Sequence, residues 1–177
     1  MILKLKRTPA IYLVGFMGSG KTTVGRALAD ELGWTFVDLD EEIERREGAS
    51  IASIFDARGE AAFRELECAQ LREHVRTVQM GRPQVISLGG GAFLADENCE
   101  LLTNNGVTVW LDCPFSTIER RIASTDHRPL ARDPEQLRVL FEERRAGYSR
   151  AEFRIEVVDD DAGGAVAQIL ALPLFTP

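Results

Sequence analysis

Apolar residues fall in short bursts, separated by longer stretches in which they recur every three or four positions. The bursts at 11–14, 36–37, 85–88, 107–111 and 155–158 are rich in β-branched residues and nearly continuous. That is the pattern of strands buried on both faces of a parallel sheet. The stretches between them predict helices over about 21–32, 59–79, 96–105, 115–123 and 134–149. Ser50, ahead of Ile51, Ile54 and Phe55, predicts a short capped helix, and another is expected from Glu41 to Glu47. This alternation predicts an α/β fold of three layers, with a mostly parallel sheet of about five strands flanked by helices. In such folds ligands gather beyond the carboxyl ends of the strands, so the residues just after each burst are the candidates for chemistry.

Composition narrows the class. At 177 residues, one domain over 1–177 is expected. No apolar stretch approaches the roughly 20 residues of a membrane span. The basic N-terminus lacks the apolar core of a signal peptide, so none is expected, and no membrane partner. A net charge of −7 disfavours nucleic acid as a partner. Cys68, Cys99 and Cys113 are widely spaced, without C-x-x-C pairing. They predict neither a disulfide framework nor a zinc site, and point to a reducing cytoplasm.

The first burst is followed at 15–22 by G-F-M-G-S-G-K-T, a full match to G-x-x-x-x-G-K-[ST] between a strand and a helix. Glycines at 15, 18 and 20 allow successive N–H groups to point at one anion. The helix that follows adds the positive end of its dipole. Lys21 adds a charge at the β- and γ-phosphates, and the Thr22 hydroxyl is a ligand for Mg²⁺. Lysine stands only at positions 4, 6 and 21 in a chain otherwise biased to arginine. A compact ammonium does what a planar guanidinium does not.

The other strand ends are also chemically marked. Asp38-Leu39-Asp40 follows the second burst: either acids serving Mg²⁺·ATP and an acceptor hydroxyl, or solvated caps of the next helix. Arg58 and Arg64 lie around a predicted helix start, with Glu67 three residues beyond Arg64: a ligand clamp or an ordinary surface ion pair. Gly89, Gly90 and Gly91 follow the third burst, and such a run implies a close backbone approach. Asp112 ends the fourth in a Walker-B-like setting, but Pro114 follows, so a strand-end or capping role is expected and Asp38 is preferred for the metal. The polar, proline-punctuated stretch 124–134 predicts a lid. Arg121, Arg128, Arg132 and Arg144 lie around it, suited to neutralising phosphate. His74 and His127 have no partner pattern for nucleophilic catalysis.

Taken in order, G-F-M-G-S-G-K-T-T-V-G, F-V-D-L-D, S-I-A-S-I-F, G-E-A-A-F-R-E-L-E, S-L-G-G-G-A, R-P-L and E-R-R-A-G-Y resemble the shikimate kinases over about residues 11–158. The resemblance implies a P-loop NTPase fold like that of nucleoside monophosphate kinases, with a mobile lid, and ATP-dependent phosphorylation of the 3-hydroxyl of shikimate in aromatic amino acid biosynthesis. It implies that Gly18, Ser19, Gly20, Lys21, Thr22 and Thr23 hold ATP, with Arg121 on the adenine and Arg128 at the phosphates. Shikimate falls to Asp40, Arg64, Gly89, Gly90, Gly91 and Arg144, with the substrate-binding region at about 38–67. Lys21, Asp40 and Arg128 are the catalytic set. Mg²⁺ falls to Thr22 and, through water, Asp38. ATP and shikimate are the only partners expected, on a monomer.

Two departures from the family pattern are visible. Ala146-Gly147 replaces the usual Pro-Leu; counting back from Tyr148 selects Arg144 as the second carboxylate ligand, while a one-residue slip would select Arg145. The adenine-loop region, 159–164, lacks the proline often found there. The alternatives are a related small-molecule kinase, such as one for gluconate, or a non-catalytic ligand-sensing domain derived from shikimate kinase.

Overall fold

The computed structural model describes residues 10–124, 133–158 and 160–174. Its five strands are β1 (Ala10–Val14), β2 (Thr35–Asp38), β3 (Gln84–Ser87), β4 (Val107–Asp112) and β5 (Phe153–Glu156). They form one sheet in the order β2-β3-β1-β4-β5, with all neighbours parallel. β1, β3 and β4 are buried at every position. Side chains alternate between faces along a strand, so both faces of the sheet are covered. The edge strands β2 and β5 keep exposed positions.

The covering helices are α1 (Lys21–Leu32), α2 (Leu39–Glu47), α3 (Ile51–Gln79), α4 (Asp96–Asn104), α5 (Phe115–Ala123), α6 (Pro134–Tyr148) and α7 (Ala162–Leu170), with a 3₁₀ turn at Ala92–Leu94. α1 packs on β2 and β3 and meets α7, while α4 packs on β4. Among the described residues, no helix is long and apolar enough to cross a membrane.

The three-layer parallel α/β fold is the one the hydrophobic pattern predicts, with local differences. The helix expected from residue 59 begins earlier, because α3 joins it to the short helix capped by Ser50 through a single non-helical residue, Gly59 (φ 80°, ψ 172°). The last strand lies two residues before the apolar run at 155–158: β5 pairs Phe153 with Val109 and Glu156 with Asp112. Phe153 and Ile155 alternate there with Arg154 and Glu156, the signature of a half-covered edge. α7 was not anticipated, since Gly163 and Gly164 read as loop. Asp161 caps it through Gly163 N–H, and Ala165, Val166 and Ile169 are buried along it.

The register places the chemistry. β1 lies between β3 and β4. The segments leaving β1 and β3 therefore run side by side, tied where Leu88 N–H donates to Leu13 O (3.0 Å).

Candidate active site

The loop after β1 is shaped for an anion. Gly15 has φ +148°, and a Cβ there would stand 2.8 Å from Leu111 O. The loop therefore closes only with glycine at this position. It ends at Gly20, the N-cap of α1, whose first-turn N–H groups face the mouth of the loop. Ser19 Oγ is buried and has no hydrogen-bond partner among the described residues. Lys21 Nζ donates to Gly15 O and Phe16 O, both at 2.9 Å, which holds the ammonium over the loop. Thr22 Oγ1 donates to Asp38 Oδ2 at 2.6 Å. The other oxygen of Asp38 accepts from Asp40 N (3.1 Å) and Glu41 N (3.2 Å), capping α2. Capping and facing the phosphate loop are thus not alternatives at Asp38, because each uses a different oxygen.

The three glycines after β3 face three of the predicted side chains in turn. A Cβ on Gly89 would lie 2.6 Å from Asp40 Oδ1 and 3.1 Å from Glu67 Oε1. One on Gly90 would lie 3.0 Å from Arg144 Nη1 and 3.9 Å from Met17 N, in the phosphate loop. One on Gly91 would lie 2.6 Å from Arg64 Nη1. Two guanidinium groups and a carboxylate therefore converge on a backbone with no side chains of its own. Arg64 Nη1 donates to Glu67 Oε2 (2.9 Å), and Tyr148 Oη donates to Gly90 O (2.5 Å), fixing the turn.

The choice between Arg144 and Arg145 is a matter of direction. Arg144 points at Gly90 and lies over the Phe16 ring (5.9 Å to the centroid). Arg145 turns away and donates both Nη groups to Asp112 (2.5 and 2.9 Å). Asp112 is therefore a strand-end anchor for arginine. Arg58 pairs with Glu47 at the surface (2.7 Å).

Two acids lie at the glycine turn, Glu67 buried and Asp40 half-buried. Burial raises the Asp40 carboxyl above its ordinary value, and neighbouring Asp38 adds to this. Burial pushes Glu67 up to about 7, outweighing the opposing pull of Arg64. A raised carboxyl binds more protons folded than unfolded, so its contribution to stability is complete below the ordinary carboxylate range and is lost as pH rises to about 7. Glu67→Gln removes this dependence. Thermal melts of the two proteins between pH 5 and 8 should converge at low pH, with the wild type losing ground to the variant as pH rises. A constant difference between the two would sink the assignment.

Beyond the phosphate loop the cleft, about 600 Å³, extends to Arg121 and Asp160. Arg121 Nη1 donates to Gly18 O (2.8 Å), while its Nε and Nη2 donate to Asp160 Oδ1 (3.0 and 2.9 Å). Arg128 and most of the expected lid, 125–132, lie outside the described residues. Sequence reasoning missed the roles of Tyr148 and Asp160. Neither has a local signal, since their partners lie 58 and 39 residues away.

The family model for shikimate kinase matches residues 17–172. A shikimate kinase of Persephonella marina is 41% identical over 90% of this chain and 96% of its own. The solved structure of shikimate kinase from Acinetobacter baumannii in complex with shikimate superposes with a TM-score of 0.85, at 40% identity, over 94% of this chain and 93% of that one. A gluconokinase from Sinorhizobium meliloti reaches a TM-score of 0.56 at 19% identity, covering 93% of this chain and 91% of its own, which shows the shared fold alone. Likeness of the first kind, sustained over nine-tenths of both partners, goes beyond that common fold, and the chain belongs to the shikimate kinase family.

Proposed function

We propose that the protein transfers the γ-phosphoryl group of ATP to the 3-hydroxyl of shikimate, within one kinase domain. The observation that carries this reading is the convergence of Arg64, Arg144 and Asp40 on Gly89, Gly90 and Gly91 beside the phosphate loop. Two guanidiniums suit one carboxylate, in charge-assisted and bidentate bonds. A carboxylate beside them suits the hydroxyl that attacks.

The residues divide the work. The backbone of Gly18, Ser19 and Gly20, with the side chains of Thr22 and Thr23, holds the phosphates, and Ser19 Oγ is a buried donor still to be matched. Arg121 closes the adenine end. Asp40 orients the acceptor hydroxyl, and its raised proton affinity suits it to take that proton as the bond forms. Lys21 moves from the loop carbonyls to the charge spreading over the transferred group. Family likeness assigns the same task to Arg128.

The site also fits Mg²⁺. Nucleotide-bound Mg²⁺ takes one or two protein ligands and completes its shell with phosphate and water. Thr22 Oγ1, with Asp38 behind it at 2.6 Å, is a pair of that kind. Among the described residues there is no larger cluster of metal ligands. When bound, the ion neutralises charge on the β- and γ-phosphates.

An assay of ADP release with ATP, Mg²⁺ and a panel of shikimate, gluconate and nucleoside monophosphates tests the reading. Turnover with shikimate alone is expected. Turnover with gluconate instead, or shikimate binding without turnover, would replace it with the related-kinase or ligand-sensing reading.

A further inference from the structure

Arg144 and Arg145 are consecutive on α6, carry the same group and do different things. What separates them lies across the sheet, at the end of β4. Asp112 is 7% exposed and is gripped from two elements. Arg145 of α6 meets both its oxygens, and Arg154 of β5 donates from Nε (2.8 Å) and pairs through Nη2 (2.7 Å) with Oδ2. Trp110 completes the assembly. The Arg145 and Arg154 guanidiniums stand 5.0 and 5.4 Å from its ring, and the Phe141 ring lies 5.4 Å from Arg145.

α6 is thus fastened at two points just beyond Arg144, in its last turn. Arg145 is bound to Asp112. Tyr148, whose ring lies 6.3 Å from Trp110, holds Gly90 O. Two anchors so close to Arg144 in sequence fix the rotation of the last turns of α6 about its axis. That rotation decides whether the Arg144 guanidinium reaches Gly90. A helix advances about 100° per residue, so even a partial turn would carry Arg144 off the acceptor.

We infer that Asp112 is a positioning residue for the acceptor carboxylate: through Arg145, with Arg154 and Trp110 as its frame, it sets the direction of Arg144. The inference rests on the shikimate-phosphorylating reading above. It predicts a selective loss, because the phosphate loop and Lys21 lie on other elements.

The test is steady-state kinetics of Asp112→Asn against wild type, with shikimate and with shikimate methyl ester, which lacks the negative charge. The expected result is a shikimate KM raised about 10- to 100-fold, the scale of a small misplacement of a binding group. The ATP KM and the kcat/KM for the ester should not change. In an Arg144→Leu background, Asp112→Asn should add nothing more. An unchanged shikimate KM, parallel rises for shikimate and ATP, or an equal loss on the ester would overturn the inference. If Asp112→Asn is too unstable to assay, Arg145→Lys, which keeps the charge but not the fork, is read by the same outcomes. Wild-type turnover is the internal control. An inactive wild type defeats the functional reading, whereas an active wild type with an unaffected variant defeats only the positioning role.

Discussion

Lys21→Ala should lower kcat by about 10²–10³-fold, the cost of losing one preorganised charge at a transition state. Shikimate binding should persist, since the proposed acceptor residues stand on α2, α3, α6 and the glycine turn. Lys21 is the only lysine beyond position 6. Its ammonium is held by two carbonyls of its own loop, each at 2.9 Å. Lys21→Arg should not restore the rate, because a planar fork does not fit where a point charge sits among backbone oxygens. Stopped-time ADP release and a shikimate titration measure the two quantities. Near-normal turnover in Lys21→Ala would rule out the phosphoryl-transfer mechanism argued above.

Arg64→Leu should weaken shikimate binding by about 2–5 kcal/mol, the scale for truncating one partner of a buried charge pair. ATP affinity should hold. Arg64 faces Gly91 and donates to Glu67, whose other oxygen is buried without a hydrogen-bond partner among the described residues. The substitution therefore removes the proposed carboxylate ligand and strips the buried Glu67 of its ion-pair partner. Glu67 then gains a proton more readily, so the variant should lose the most stability at alkaline pH. Calorimetric titration of both ligands separates the effects. Equal weakening of shikimate and ATP would show that Arg64 serves the fold rather than recognition.

Much of this was legible along the chain because it is local or periodic. The buried strands appear as continuous apolar runs, the phosphate loop as glycines at fixed offsets, and the cap of α2 as an acid before a helical pattern. Gly89, Gly90 and Gly91 announce a close approach by lacking packing groups. Where reading failed, a local signal competed with a tertiary one. Gly163 and Gly164 look like loop, yet α7 forms there because Val166 and Ile169 are buried in the core. The apolar run at 155–158 looks like a strand, yet pairing with β4 draws β5 to Phe153–Glu156.

Which residue types serve phosphate and carboxylate chemistry, and in what order they come, was already set in the primary structure. Local conformation and short-range spacing depend on neighbouring residues, and the family resemblance spans nearly the whole chain. What awaited folding was direction. Counting back from Tyr148 selects Arg144, but a one-residue slip would select Arg145, and it is partners remote in the chain, Gly90 for Arg144 and Asp112, 33 residues away, for Arg145, that set their directions. The shift of Glu67 to about 7 likewise comes from its burial beside Asp40, 27 positions away. Both are consequences of the sheet order β2-β3-β1-β4-β5, which gathers the ends of strands far apart in the chain. Charge–charge energies and desolvation depend on distance and burial in space, and neither quantity exists until the sheet has closed.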